Sequence, residues 1–305
     1  MAVEPGRVEL GRVMTAMVTA FAPDGSVDYA ACGELARALL GSGSDGLVLT
    51  GTTGETPTLS IAEQIAVWRA VRRAVGPEAV LVAGASTNST AESLEMVREG
   101  AGAGMSALMF TVPYYNKPPQ EGLYRHFRTL AEATPLPCIL YNIPSRTSLN
   151  MTAETTLRLA RDVPSIVGIK EAAGDLAQVD AIVAGAPAGF RVWSGDDSAT
   201  LDVMQHGGWG VVSVAAHLVG AQIHAMVDLA AAGRWDEARA EEARLMPLFS
   251  VCFVETNPIP VKWALGHLGF AVGDPRLPLV RASEAAQERI AAELARHQLD
   301  VLVRA

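Results

Sequence analysis

A chain of 305 residues that is 50% hydrophobic and 19% charged can bury one large core and carry a smaller module beside it. Its net charge of −9 and pI near 5.2 argue against a nucleic-acid binder or a protein drawn to an acidic membrane surface. No apolar run nears the ~18 residues of a membrane span, and the opening MAVEPGRVEL lacks the basic-then-apolar layout of a signal peptide, so a cytoplasmic protein is expected.

Short β-branched or apolar runs recur at even intervals, and the residues just past each run are as informative as the run itself. The first is VMTAMV at 13–18. The second, GLVL at 46–49, runs into GTTGE, with Thr52 and Thr53 between two glycines that free the backbone to present N–H and hydroxyl groups to an anion. VLVAG at 80–84 is third, and ALMFTV at 107–112 leads into PYYNK with Tyr114 and Tyr115. CILYN at 138–142 opens YNIPSRT, which carries Tyr141 and Arg146. IVGIK at 166–170 ends on a lysine, RVWSG at 191–195 ends in SGDD, and GVVSV at 210–214 is the eighth. Ala/Leu/Glu/Arg-rich stretches with helical spacing lie between them, the pattern of βα units with parallel strands covered on both faces. Eight such units predict a (β/α)8 TIM barrel, and the lack of a glycine fingerprint after the first strand weakens an open dinucleotide-binding sheet.

The remaining chain reads as helices over 217–232, 235–249, 259–268 and 284–297, with Asn257 as a cap and Pro258 in the first turn of the third. The predicted organisation is a catalytic barrel over 1–220 and a C-terminal helical appendage over 221–305. Asp197 is expected to cap the helix after it. The three scattered cysteines give neither a disulfide framework nor a zinc site. His217 and His224, seven apart, have no acid at ligand spacing, so packing or surface roles are expected.

Lys170 stands out. The chain has only three lysines, Lys117, Lys170 and Lys262, among 24 basic residues. A lysine where the pattern points inward is either snorkelling from the barrel mouth or a nucleophile. Desolvation at the mouth lowers an amine's pKa, and a neutral amine attacks a ketone to form a Schiff base that acidifies the adjacent carbon. Lys117 lies in a proline-rich loop, and Lys262 is expected on a helix outside the barrel. Tyr141, one strand away, is placed to carry protons, with a threonine hydroxyl such as Thr52 as relay. Asp196 and Asp197 occupy the usual phosphate region of such barrels, which disfavours a phosphorylated substrate.

Taken together, GTTGE, PYYNKPPQEGLYRHF, YNIPSRT, GIKEAAGD, SGDD and NPIPVKWAL resemble the dihydrodipicolinate synthase family, pyruvate-dependent class I aldolases grouped with N-acetylneuraminate lyase. The likeness runs from about Gly11 to Pro278. It implies a lyase that condenses pyruvate with L-aspartate-4-semialdehyde, through a lysine–pyruvate Schiff base and without metal or other cofactor. Carried over, Lys170 forms the Schiff base and Tyr141 moves the protons. Thr52 and Tyr115 complete the relay, Tyr115 from a neighbouring subunit. Thr53 holds the pyruvate carboxylate, with Val212 and Gly195 also on the substrate, and Arg146 takes the semialdehyde carboxylate. A homotetramer built as a dimer of dimers is implied. So is a regulatory cleft for lysine at Asn88, Glu92, Tyr114, Thr56, Ile61 and Gln64. In lysine-sensitive members an aromatic or histidine ring stands where this chain has Ile61, so weak feedback is expected.

Two alternatives stay open at this point. Another pyruvate-dependent aldolase, such as N-acetylneuraminate lyase or a sugar-acid aldolase, would use the same Lys170 and Tyr141; Arg146 favours a short carboxylated aldehyde over a polyol. A catalytically silent barrel that binds a keto acid would have no use for a full proton relay.

Overall fold

Eight parallel strands whose residues are almost wholly buried need cover on both faces, and in the computed structural model, which describes residues 9–301, they close on themselves. Residues 1–8, on which much of the expectation about the amino terminus rests, lie outside that range. The barrel half of the chain runs β1 (Val13–Ala16), α1 (Tyr29–Gly41), β2 (Gly46–Leu49), α2 (Ile61–Val75), β3 (Val80–Gly84), α3 (Thr90–Gly102), β4 (Ala107–Thr111) and α4 (Gln120–Glu132). It continues with β5 (Cys138–Asn142), a single turn α5 (Pro144–Thr147), α6 (Ala153–Asp162), β6 (Ile166–Glu171), α7 (Leu176–Gly185), β7 (Arg191–Ser194), α8 (Thr200–Gln205) and β8 (Gly210–Ser213). Each strand pairs with the next, and β8 returns to β1 through Val13 opposite Val211, so no sheet edge is left open. This is the (β/α)8 TIM barrel expected from the sequence.

The helices then continue as α9 (Ala216–Ala231), α10 (Trp235–Val251), α11 (Ile259–His267) and α12 (Glu284–Leu294). α9 packs on β1 as the eighth barrel helix, and the expected division at 220/221 falls inside it, just past a non-helical Val219. Helix starts obey the side-chain chemistry of the capping residue. Ser60 and Glu63 form a reciprocal capping box at α2, and Ser89, Thr152, Asp175 and Ser283 each accept a backbone N–H at their own helix.

Alternate residues of each strand divide between two cores. The outward set joins the helices in the large core. Met14, Val48, Val82, Met109, Ile139, Trp193 and Val212 fill the barrel interior. Trp193 requires its neighbour to be small: a Cβ at Gly168 would stand 2.6 Å from the indole and 2.4 Å from the Arg191 carbonyl. Two residues beyond Gly168 on the same inward face comes Lys170, so the apolar packing of the interior ends at an amine.

Two sequence expectations about local capping do not hold. The Asn257 side chain does not cap α11; its amide is turned across the molecule to Thr53. Asp196, not Asp197, accepts from Ser198 at the single 3₁₀ turn of Asp197–Ala199. The buried Asp197 reaches instead to Ser213 and to the N–H groups of Val214 and Ala215, both at 3.0 Å.

Candidate active site

Strand register alone brings Lys170 and Tyr141 together. They are direct partners between β6 and β5, and Trp193 on β7 is the partner of Lys170 on the other side. The lysine is 5% exposed, and its Nζ lies 4.3 Å from the centre of the Tyr141 ring. Burial pushes its pKa down to about 8; the Asp197 carboxylate pulls the other way, and the Arg146 charge adds to the lowering. The neutral amine that a nucleophile requires is therefore a minority species near pH 7, but a far larger fraction than for an ordinary lysine. Burial also drives the Tyr141 phenol up to about 12, opposed by the Arg146 charge and by a hydrogen bond with Thr52. Tyr141 is thus held as the neutral acid, with Thr52 as its hydroxyl neighbour.

The glycine after β7 makes room for the lysine stem. A Cβ at Gly195 would come within 3.2 Å of Lys170 Cε and 2.6 Å of the Ala172 methyl. Val212 sits on β8 in the interior cluster, opposite Met14. Thr53 is buried in the β2–α2 loop, where its hydroxyl accepts a 2.9 Å hydrogen bond from the Asn257 amide. Arg146, on the α5 turn after β5, donates to the Asn257 carbonyl at 3.1 Å. Thr52 and Arg146 line a cavity of about 240 Å³ together with Thr56 and Tyr114.

Tyr115 does not line the cavity that Thr52, Tyr114 and Arg146 share. It is 91% exposed, in a left-handed backbone conformation (φ 73°), a geometry that costs a non-glycine residue about 1 kcal/mol or more. The loop is tied to its neighbour by Asn88, whose amide donates to the Tyr114 carbonyl, and by Asn116, whose amide donates to the Asn88 carbonyl. Of the other cleft residues, Glu92 is exposed and accepts from Thr87, while Ile61 packs on the large core. Gln64 turns inward rather than toward a cleft: it is 2% exposed, with Nε2 on the Leu59 carbonyl.

Glu171, Asn142 and Gln178, which sequence reasoning passed over, support the site. Behind Lys170, buried Glu171 accepts from the Asn142 and Gln178 amides and the Ala173 N–H, at 2.8–3.1 Å, which fixes β6 against β5. Burial raises the pKa of Glu171. Asp197 fills the N–H groups ahead of α9, the region where such barrels usually hold a phosphate. A phosphorylated substrate would find those donors taken by the protein's own carboxylate.

Lys262 lies on α11, a helix outside the barrel as expected, but it is buried there. It is 1% exposed, deeper than Lys170, and its ammonium is paired with Glu55 at 2.8 Å and lies over the Phe21 ring. An amine already committed to a buried carboxylate is a poor nucleophile. Both nitrogens of His217 are used inside the protein, Nδ1–H on the Val214 carbonyl and Nε2 accepting from Val18, and burial lowers its pKa to about 4. His224 lies between Asp45, distant in sequence, and Asp228, one turn on along α9 at i,i+4, so the expectation of no acid at ligand spacing does not hold for His224.

A parallel eightfold barrel with a desolvated lysine on the sixth strand, and a phenol opposite it on the fifth, has the architecture of a Schiff-base-forming aldolase. The model of the dihydrodipicolinate synthetase family matches residues 9–297. The chain is 55% identical to the 4-hydroxy-tetrahydrodipicolinate synthase of Symbiobacterium thermophilum, over 93% of this chain and 97% of that one. It is 53% identical to that of Moorella thermoacetica, over 94% and 98%. Among solved structures, DHDPS from Cyanidioschyzon merolae with lysine bound superposes with a TM-score of 0.92 at 44% identity, covering 94% of this chain and 97% of the other. The protein belongs to the dihydrodipicolinate synthetase family.

Proposed function

We propose that this protein is a lyase that condenses pyruvate with L-aspartate-4-semialdehyde to give 4-hydroxy-tetrahydrodipicolinate. The observation that carries this is the pairing of Lys170, its pKa lowered to about 8, with the neutral phenol of Tyr141 across adjacent strands. The Lys170 amine attacks the pyruvate ketone, and Tyr141 with Thr52 delivers and recovers the protons as water leaves. The resulting iminium is itself the electron sink for the methyl carbon, so the chemistry calls for no further cofactor. Loss of a methyl proton gives an enamine. Its carbon attacks the aldehyde, and the aldehyde oxygen takes up a proton. The substrate's amino group then displaces Lys170 from the iminium carbon, which closes the ring and frees the enzyme.

Thr53 is read as the holder of the pyruvate carboxylate, with the Val212 backbone and Gly195 beside the bound keto acid. Arg146 is read as the partner of the semialdehyde carboxylate, which a guanidinium fork matches in shape and charge. A coupled assay with pyruvate and the semialdehyde tests the activity. Arg146→Ala should raise the semialdehyde KM about tenfold or more and leave pyruvate trapping intact. Turnover of N-acetylneuraminate with none of the semialdehyde would replace the proposal with the related lyase.

The exposed Tyr115 supports an enzyme that completes its relay across a dimer, within the dimer of dimers implied by the family. Mixing inactive Tyr115→Phe and inactive Lys170→Ala protomers should restore activity, since each mixed dimer holds one site with both native groups. No recovery after demonstrated subunit exchange would return Tyr115 to its own chain's site. As a biosynthetic enzyme the protein is placed in the cytoplasm.

For lysine, the Asn88 side-chain oxygen, the Glu92 carboxylate and the Tyr114 hydroxyl are read as ligands, whereas the Thr56 hydroxyl already donates to the Thr50 and Gly51 carbonyls. Ile61 offers the ammonium no ring face, and Gln64 is committed to Leu59. Lysine is therefore expected to inhibit only in the millimolar range. Half-inhibition well below one millimolar in a steady-state assay would contradict this.

A further inference from the structure

The residue that links the two carboxylate-holding groups comes from far along the chain. Asn257 lies just ahead of α11 and is 6% exposed. Its side-chain Nδ2 donates to Thr53 Oγ1 at 2.9 Å, and its backbone carbonyl accepts from Arg146 Nη2 at 3.1 Å. α11 is fastened to the same β2–α2 loop a second time, through the buried Lys262–Glu55 pair at 2.8 Å. Arg276 N–H adds a 2.9 Å bond to the other Glu55 oxygen. The helix directly after position 257 is thus anchored to the loop that carries Thr53.

The direction of the Thr53 bond has a chemical consequence. A threonine hydroxyl has one proton and can also accept. With the Asn257 amide donating to its oxygen, the hydroxyl accepts on that side and its one proton, not spent on Asn257, is free to point at an anion. The donor chain runs one way, from amide to hydroxyl to substrate carboxylate, and each bond polarises the next. We infer that Asn257 is a positioning residue that sets Thr53 as a donor toward the pyruvate carboxylate. The assignment rests on the role given above to Thr53.

Asn257→Asp keeps the shape but reverses the chemistry. A carboxylate only accepts, so it would draw the Thr53 proton to itself and leave a lone pair, with a negative charge behind it, facing pyruvate. The expected result is a pyruvate KM raised about tenfold or more, with kcat and the semialdehyde KM changed less than about threefold, because the contact to Arg146 is made by the backbone carbonyl. A general disturbance of the segment would raise both KM values alike, and that outcome, or an unchanged pyruvate KM, would overturn the inference. A second series decides the matter if the aspartate variant does not fold. Asn257→Ala should raise the pyruvate KM severalfold in the native background but less than about twofold beside Thr53→Val, since the amide acts only through that hydroxyl. Effects that multiply in the double variant would overturn the inference. Thr53→Val alone separates the two levels. If it leaves the pyruvate KM unchanged, the role of Thr53 is wrong and the inference falls with it. If it raises that KM while both Asn257 variants are silent, only the inference fails.

Discussion

Lys170→Met is expected to abolish turnover, with kcat/KM falling on the order of 10⁴-fold or more, while the protein folds at least as well as the parent. Methionine matches the length of the lysine stem and leaves out the amine. The position is 5% exposed, above Trp193 and against the Tyr141 ring, so the variant removes a polar group from an apolar setting and opens no large cavity. Loss of activity without loss of stability marks a residue kept for chemistry. The parent should also show a defined pH dependence. With the Lys170 pKa near 8, the neutral, nucleophilic fraction falls about tenfold per pH unit below that value. Pyruvate capture should track it and level off above. Steady-state assays with thermal melts of parent and variant check both statements. Residual activity within tenfold of the parent would remove Lys170 from the mechanism.

Tyr141→Phe should lower kcat by about 10²–10⁴-fold with little change in melting temperature. The ring packs in the barrel interior with Ile139 and Trp193, and phenylalanine preserves that packing. The loss is confined to the hydroxyl proton, held on the oxygen by a pKa pushed to about 12. Such a phenol gives up a proton only when a partner takes its place, so Thr52 is an obligate neighbour. Schiff-base formation should slow along with overall turnover, because dehydration of the carbinolamine uses the same proton path. Rapid-quench measurement of pyruvate capture separates the steps; unimpaired capture in Tyr141→Phe would confine the tyrosine to later chemistry.

The barrel was legible in the sequence because its strands are short, β-branched and buried on both faces, and because the stretches between them keep helical spacing. The nucleophile was legible for a related reason. A lysine ending an inward-facing run, in a chain with two others, is a conflict between pattern and residue type that chemistry resolves. The features that were not legible depend on partners distant along the chain. Asn257 and Asp197 have side chains suited to capping, and local sequence cannot distinguish a cap from a tertiary ligand of the same chemistry. Asn257 meets Thr53 from 204 residues away, and Asp197, just past β7, meets the start of α9 just past the neighbouring β8. Lys262 lies on a helix outside the barrel as expected, but nothing near it in sequence announces Glu55, the carboxylate that lets it be buried. Gln64 was aligned with a cleft by the family resemblance alone, and its side chain turns to Leu59. Each of these differences lies in side-chain direction, which closure of the barrel sets.

Reduction with borohydride in the presence of pyruvate, with peptide mapping of the product, tests the central claim most directly, because it freezes the iminium on the amine that formed it. The stable adduct is expected on the peptide carrying Lys170 and on neither Lys117 nor Lys262. A label on Lys262, or no label after pyruvate saturation and reduction, would contradict the account.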